Sequence, residues 1–228
     1  MEEYRIAGAI IVAAGDSRRM EGGDKMFALL GGQAILARVI DAFQTCKLID
    51  RIVVVVNKSS MEKSRRLVTE HGWTKVAEVC PGGERRQDSV RVGLDRLGHC
   101  HWVVIHDGAR PLVTEYLIRR GMMAAEETGA AVAAVPVTDT IKVAGNDKIV
   151  QQTLSRNRLW SVQTPQIFSF EMITEAYGKV KAEITDDASL VELLGNKVKL
   201  YMGAYDNIKI TTPVDLVLGE VLWQKYGK

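Results

Sequence analysis

The sequence predicts an α/β fold: a mostly parallel sheet between layers of helix, with one β-hairpin inserted. Three observations predict it. Runs of consecutive apolar, often β-branched residues recur along the chain, as strands covered on both faces require. Stretches with helical apolar spacing separate them, which is βαβ rhythm. That rhythm breaks once, after Pro136, where polar and β-branched residues alternate around the turn signal Gly145-Asn-Asp147. At 228 residues, 46% of them apolar, the chain can bury one sizeable core and is short for two full domains. The expectation is one domain over 1–228 with an insertion at about 137–159.

Taken in order, Ile6 to Ala13 reads as the first strand, followed by a glycine-rich basic loop. Ile35, Val39 and Phe43, with Leu36 and Ile40 beside them, mark a helix, and Arg51 to Val56 a strand. Lys63, Arg65 and Arg66 read as the solvated face of a helix. Val76 to Cys80 is the next strand, Val90, Leu94 and Leu97 the next helix, and Trp102 to His106 a third buried strand. Thr114 is placed to cap a helix carrying Leu117, Ile118 and Met122, and Ala130 to Pro136 is again a strand. The hairpin follows. Helices resume at Phe170 to Val180 and Asp186 to Leu194, where "TDDAS" (185–189) reads as a cap with acids in the first turn. A strand is expected at Lys199 to Met202. Thr212-Pro213-Val-Asp215 opens the last helix with cap, first-turn proline and first-turn acid.

Composition limits what the surface can bind. Thirty Lys and Arg against 28 Asp and Glu leave a formal charge of +2, so no field marks the whole protein as a nucleic-acid or acidic-membrane binder, and any basic site must be local. Cys46, Cys80 and Cys100 are far apart and odd in number, which suits reduced thiols and neither a disulfide framework nor a zinc site. His71, His99 and His101 lack metal-ligand spacing, and His106 reads as a structural residue beside Asp107. With no signal-like N-terminus and no apolar run of membrane-spanning length, the expected location is the cytoplasm.

The loops after the strands carry the chemistry. "VAAGDSRRMEGGDKM" (12–26) offers small residues, bare amides and cations to an anion. It is neither a P-loop, since Asp24 separates Gly23 from Lys25 and Met26 stands where Ser or Thr belongs, nor a dinucleotide loop, since Gly15-Asp-Ser17 breaks the second glycine. "PGGERRQDSV" (81–90), "HDGARP" (106–111) and "YDNIKIT" (205–211) likewise lie where open α/β sheets bind ligands. Attack on the α-phosphorus of a nucleoside triphosphate, with its roughly four negative charges, needs cations on the phosphates, a magnesium ion held by carboxylates and no covalent nucleophile. Arg19, Lys25 and Lys209 are the candidate cations, Asp107 and Asp206 the candidate metal ligands, and the amides around Ala14 and Gly15 the cradle.

The series "AAGDSRRM" (13–20), "GGERRQDSV" (82–90), "HDGARP", "VTDTIK" (137–142), "RNRLWSVQTPQIF" (156–168), "TDDAS" and "DNIKITTPVD" (206–215) resembles, in order and spacing, the 2-C-methyl-D-erythritol 4-phosphate cytidylyltransferase family over residues 5–220. The resemblance implies a Rossmann-like nucleotidyltransferase fold and magnesium-dependent transfer of CMP from CTP to a polyol phosphate, methylerythritol phosphate. It also implies a homodimer formed through the β-arm, with no nucleic-acid or membrane partner. It places catalytic cations at Arg19, Lys25 and Lys209, and nucleotide contacts at Ala13, Ala14 and Gly15. Cytosine-reading residues fall at Gly83, Glu84 and Ser89, and Asp107 falls beside both metal and substrate. Thr140 and Arg156 are substrate contacts from the neighbouring subunit's arm, with Arg110 and Thr164 lining the same pocket. Ribitol 5-phosphate cytidylyltransferase shares the fold and the CTP loops. Ser17, Asp24 and Arg158 depart from the family pattern. Of these, Asp24 sets a carboxylate beside Lys25, which lowers local attraction for triphosphate unless it faces away.

Overall fold

The computed structural model describes residues 6–15 and 24–226. In chain order it contains β1 (Ala7–Ala13), a small ladder of β2 (Leu29–Leu30) and β3 (Gln33–Ala34), α1 (Ile35–Thr45), β4 (Arg51–Val56), α2 (Met61–His71), β5 (Val76–Pro81), α3 (Arg86–Leu97), β6 (Trp102–Asp107), α4 (Glu115–Thr128) and β7 (Ala130–Pro136). Then come β8 (Lys142–Ala144), β9 (Val150–Thr153), β10 (Trp160–Ser169), α5 (Phe170–Lys179), α6 (Asp187–Leu193), β11 (Lys199–Met202) and α7 (Pro213–Tyr226). Seven strands form one sheet in the order β11-β7-β10-β6-β1-β4-β5. All neighbours pair in parallel except β10, which runs antiparallel between β6 and β7.

Consecutive residues of the apolar strands go to opposite cores. Ile11, Ile52 and Val54 pack with Leu36, Val39, Ile40 and Phe43 of α1 and with Leu117 and Ile118 of α4. Ile10, Val53 and Val55 pack on the other face with Val90, Leu94 and Leu97 of α3 and with Ile173, Leu190 and Val191 of α5 and α6. A strand with a helix layer on each side has no polar face to spare, so β4 reads as four valines after an isoleucine. Thr114 caps α4 through Leu117 N (3.2 Å), and Gly129 closes that helix with φ at 78°. Three buried, unpaired cysteines agree with the sequence; burial pushes the Cys80 and Cys100 thiols up to about 11.

Two elements depart from expectation. The hairpin is present, but its strands span only Lys142–Ala144 and Val150–Thr153. Thr140 and Arg156 therefore lie just outside them at the root of the arm, Arg156 opening a 3-10 turn (Arg156–Arg158). The second departure is β10, a ten-residue central strand that the apolar patterning does not announce, because Gln163, Thr164 and Gln166 sit buried in its middle. Its register shifts between Val162 and Gln166, around a cis Thr164–Pro165 bond.

Candidate active site

Chain order and sheet order part company beside β1: the chain goes out through β4 to β5 and returns on the other side as β6. Loops leaving the carboxyl ends of such strands diverge and leave a crevice. A cleft of about 740 Å³ lies there, lined by Ala13, Ala14 and Gly15 after β1, Asn57 and Lys58 after β4, Gly82 to Arg86 and Ser89 after β5, and Asp107 at the end of β6, with Lys25 and Lys209 added from outside the sheet. Gly82 lets two walls approach: a Cβ there would lie 2.5 Å from the Ala14 Cβ and 2.5 Å from Ser89 Oγ. Among the described residues a Cβ on Gly15 would meet nothing within 4 Å.

Asp107 stands at the centre. Its Oδ1 lies 3.3 Å from Arg86 Nε, and its Oδ2 lies 2.8 Å from Lys209 Nζ and 3.7 Å from Arg110 Nε. Burial by itself would raise its pKa; Arg86, then Lys209 and Arg110, instead pull it well below the usual carboxylate range. The backbone around it is equally fixed. Asp107 N donates to Thr164 Oγ1 (3.0 Å), and the Thr164 hydroxyl in turn meets His106 Nδ1 (3.1 Å), whose Nε2 meets Arg110 O (3.1 Å). A carbonyl can only accept, so Nε2 carries a proton, and with the ring neutral at pH 7 Nδ1 accepts from the Thr164 hydroxyl. Burial pushes its pKa down to about 4.

A second cleft, of about 450 Å³, adjoins the first and shares Arg86, Asp107 and Lys209 with it. Arg110, Val162, Gln163, Thr164 and Gln166 line it on the β10 side, and Thr185, Asp186, Ser189 and Glu192 on the α6 side. Asp186 caps α6 through Ser189 N (3.3 Å) and accepts from Gln166 Nε2 (2.9 Å), so buried strand and helix end are locked together.

Of the residues the sequence singles out, Ala13, Ala14, Gly15, Lys25, Gly83, Glu84, Ser89, Asp107 and Lys209 line the first cleft, and Arg110 and Thr164 line the second. Arg19 and Ser17 lie outside the described residues. Asp206 is not among the lining residues of either cleft. Its neighbour Asn207 is the buried one, donating to Thr164 O (2.8 Å) and Gln163 Oε1 (3.2 Å) and giving its own carbonyl to Arg110 Nη1 (2.7 Å), which fixes the turn that delivers Lys209. Thr140 and Arg156 line neither cleft of this chain, and Arg156 Nη1 donates to Thr138 O (2.8 Å). Lys63 is more than a solvated charge, since its Nζ sits 4.0 Å above the Phe27 ring.

Two residues escaped the sequence reading. Arg86 lines both clefts and binds Asp187 Oδ2 at 2.8 Å as well as Asp107. Asp187 is fully buried and takes the Tyr177 hydroxyl at 2.6 Å. By spacing alone Asp187 is a first-turn acid of α6; only its burial against α5 and α3 turns it into a counter-charge.

Among the described residues no group of three or more His, Cys, Asp or Glu converges on a metal position. The carboxylate at the junction of the clefts, Asp107, is already paired with Arg86 and Lys209, so a divalent cation held there would take at most one ligand from it and the rest from water and substrate oxygens. Such an ion would supply charge neutralisation at the phosphates. Among the described residues, too, no helix is long and apolar enough to cross a membrane.

Comparison with known proteins matches this geometry. The family model for 2-C-methyl-D-erythritol 4-phosphate cytidylyltransferase matches residues 7–225. A protein of that name from Dehalococcoides mccartyi is 51% identical over 218 residues, with 96% of each chain covered. Another, from Alkaliphilus oremlandii, is 43% identical with the same coverage. The crystal structure of 4-diphosphocytidyl-2C-methyl-D-erythritol synthase from Anaerococcus prevotii aligns with a TM-score of 0.85 at 29% identity, covering 96% of this chain and 99% of that one. That of the Thermus thermophilus cytidylyltransferase gives 0.78 at 31% identity, covering 97% and 100%. With the family's pattern running from the first strand into the last helix, and about half of all positions shared with one relative, this chain belongs to the 2-C-methyl-D-erythritol 4-phosphate cytidylyltransferase family.

Proposed function

We propose that this protein transfers CMP from CTP to 2-C-methyl-D-erythritol 4-phosphate, releasing pyrophosphate, as a step of isoprenoid biosynthesis. The observation that carries the reading is the junction of the two clefts at Arg86, Asp107 and Lys209. A nucleotide in the first cleft and a phosphorylated polyol in the second would meet there, the acceptor oxygen facing the α-phosphorus. In this scheme Ala14 and Gly15 amides and Lys25 hold the triphosphate, Lys209 neutralises charge developing at the α-phosphate, and Asp107 keeps Lys209, Arg86 and Arg110 aimed at the junction. Gly83, Glu84 and Ser89 read the base. Arg110 and Thr164 face the acceptor. Magnesium is the expected cofactor, and the whole forms a single cytoplasmic nucleotidyltransferase domain whose β-arm carries Thr140 and Arg156 to a second copy of the chain.

Pyrophosphate release from each of the four nucleoside triphosphates, with methylerythritol phosphate and ribitol phosphate as acceptors, tests the reading. CTP with methylerythritol phosphate should be fastest. Preference for ribitol phosphate would reassign the acceptor, and no release with any pair would reject the reaction.

A further inference from the structure

The turn that carries Lys25 is tied to a neighbouring element on both sides of the lysine. Asp24 caps the 3-10 turn Lys25–Phe27, its Oδ1 accepting from Met26 N at 3.0 Å. Its Oδ2 accepts from Ser60 Oγ in a short hydrogen bond. Ser60 is itself 5% exposed and fixed at the start of α2, its N–H donating to Asn57 Oδ1 at 2.8 Å. On the far side of Lys25, Phe27 lies under Lys63 of α2 at 4.0 Å. Met26, 2% exposed, anchors the turn in the core from below. Asn57, Lys58, Lys25 and Met26 all line the nucleotide cleft, so the Asp24–Ser60 bond joins the wall after β1 to the wall after β4.

A carboxylate next to a phosphate-binding lysine ought to weaken the site by competing for the same charge. Here each carboxylate oxygen faces a donor inside the protein, so the charge is directed away from the cleft and used to hold the turn. We propose that Asp24 and Ser60 form a latch that sets the position of Lys25, making Asp24 a positioning residue for the nucleotide cation. The proposal rests on the reading of the first cleft as the CTP site. It also explains how this chain carries an acid at a position where a negative charge is otherwise unfavourable.

The test compares Asp24→Ala, Ser60→Ala and the double variant in steady-state pyrophosphate release, with direct CTP titration and thermal unfolding alongside. Ser60→Ala, which removes one charge-assisted hydrogen bond, should raise the KM for CTP about ten-fold, and Asp24→Ala, which also removes the cap on Met26 N, at least as much. The double variant should be no worse than Asp24→Ala alone, because Ser60 acts through Asp24. The KM for the acceptor should stay within two-fold and the Tm should move by only about 2–4 °C, outcomes that general unfolding would not give. Asp24 sits at φ −74°, within the range a proline ring imposes, so Asp24→Pro in the Ser60→Ala background should restore CTP affinity by stiffening the turn directly. Effects that multiply in the double variant, or an acceptor KM that rises in step, would overturn the latch. Wild-type protein that neither binds nor turns over CTP would instead reject the assignment of the cleft, a result separable from either.

Discussion

Asp107 is a carboxylate whose value lies in being over-supplied with cations. Three positive side chains lie within 3.7 Å of its oxygens, and with Arg86 shared with Asp187 the three cations still outnumber the two carboxylates, a surplus at the junction where a triphosphate would lie. In the proposed scheme Lys209 neutralises the charge developing at the α-phosphate, so Lys209→Ala should lower kcat by about two to three orders of magnitude with little change in Tm. Asp107→Asn should cost a similar factor and raise the magnesium needed for half-maximal rate, because a neutral amide is a poor ligand for a hard dication. An unchanged magnesium titration would remove Asp107 from the metal's surroundings. His106, next door, gives a stability prediction whose sign is fixed by its lowered pKa. A histidine held neutral in the fold takes up its proton more readily when unfolded, so its contribution is complete above about 6.5 and is lost as pH falls toward about 4. The loss amounts to about 3 kcal/mol. In His106→Gln, the slope of the urea midpoint between pH 6.5 and 4 should flatten even if the overall stability drops.

The approach of whole elements decides whether these side chains can act together. The start of α3 and the loop after β1 can both close on Gly82 because it has no side chain. Gly82→Ala should force Ala14 and Ser89 apart, raising the KM for CTP by one to two orders of magnitude at a modest loss of Tm. Equal stability and unchanged CTP affinity would show that the loop can give way. How legible such elements are in sequence depends on how their residues are buried. Strands β1, β4, β6 and β7 are apolar on both faces and announce themselves, and the glycine-rich loops after β1 and β5 announce the first cleft. Strand β10 does not, because the polar side chains in its middle are satisfied by partners remote in sequence: Gln163 by Ala204 and Asn207, Thr164 by Asp107 and His106, Gln166 by Asp186 and Ala188. Its "QTPQ" segment therefore reads as loop by pattern and is placed at the site only by family resemblance. Asp187 and Arg86 stay hidden for the same reason, since a charge pair between α6 and α3 has no local signature.

At the scale of the whole molecule, the β8–β9 arm is the part that one chain leaves unexplained. Every residue of both strands is exposed, Ile149 is 67% and Val150 54% exposed, and a two-stranded hairpin is marginal in water without a surface to pack on. Thr140 and Arg156, at its root, line neither cleft of their own chain. A C2 dimer in which each arm completes the other subunit's acceptor cleft, as proposed above, would account for both facts. Arg156 is the sensitive probe, since a guanidinium can grip a phosphate through paired hydrogen bonds while taking no part in holding CTP. Arg156→Ala should raise the KM for methylerythritol phosphate by about two orders of magnitude and leave CTP titration nearly unchanged. Mixing it with Lys25→Ala then turns affinity into geometry. In a heterodimer of the two variants, one cleft combines the altered lysine with the altered arm, while the other has the intact lysine and receives the intact arm. Two nearly inactive homodimers should thus regain activity as subunits exchange, in proportion to the heterodimer measured by native mass spectrometry. If heterodimers form and activity stays at the level of the parents, each arm serves its own subunit.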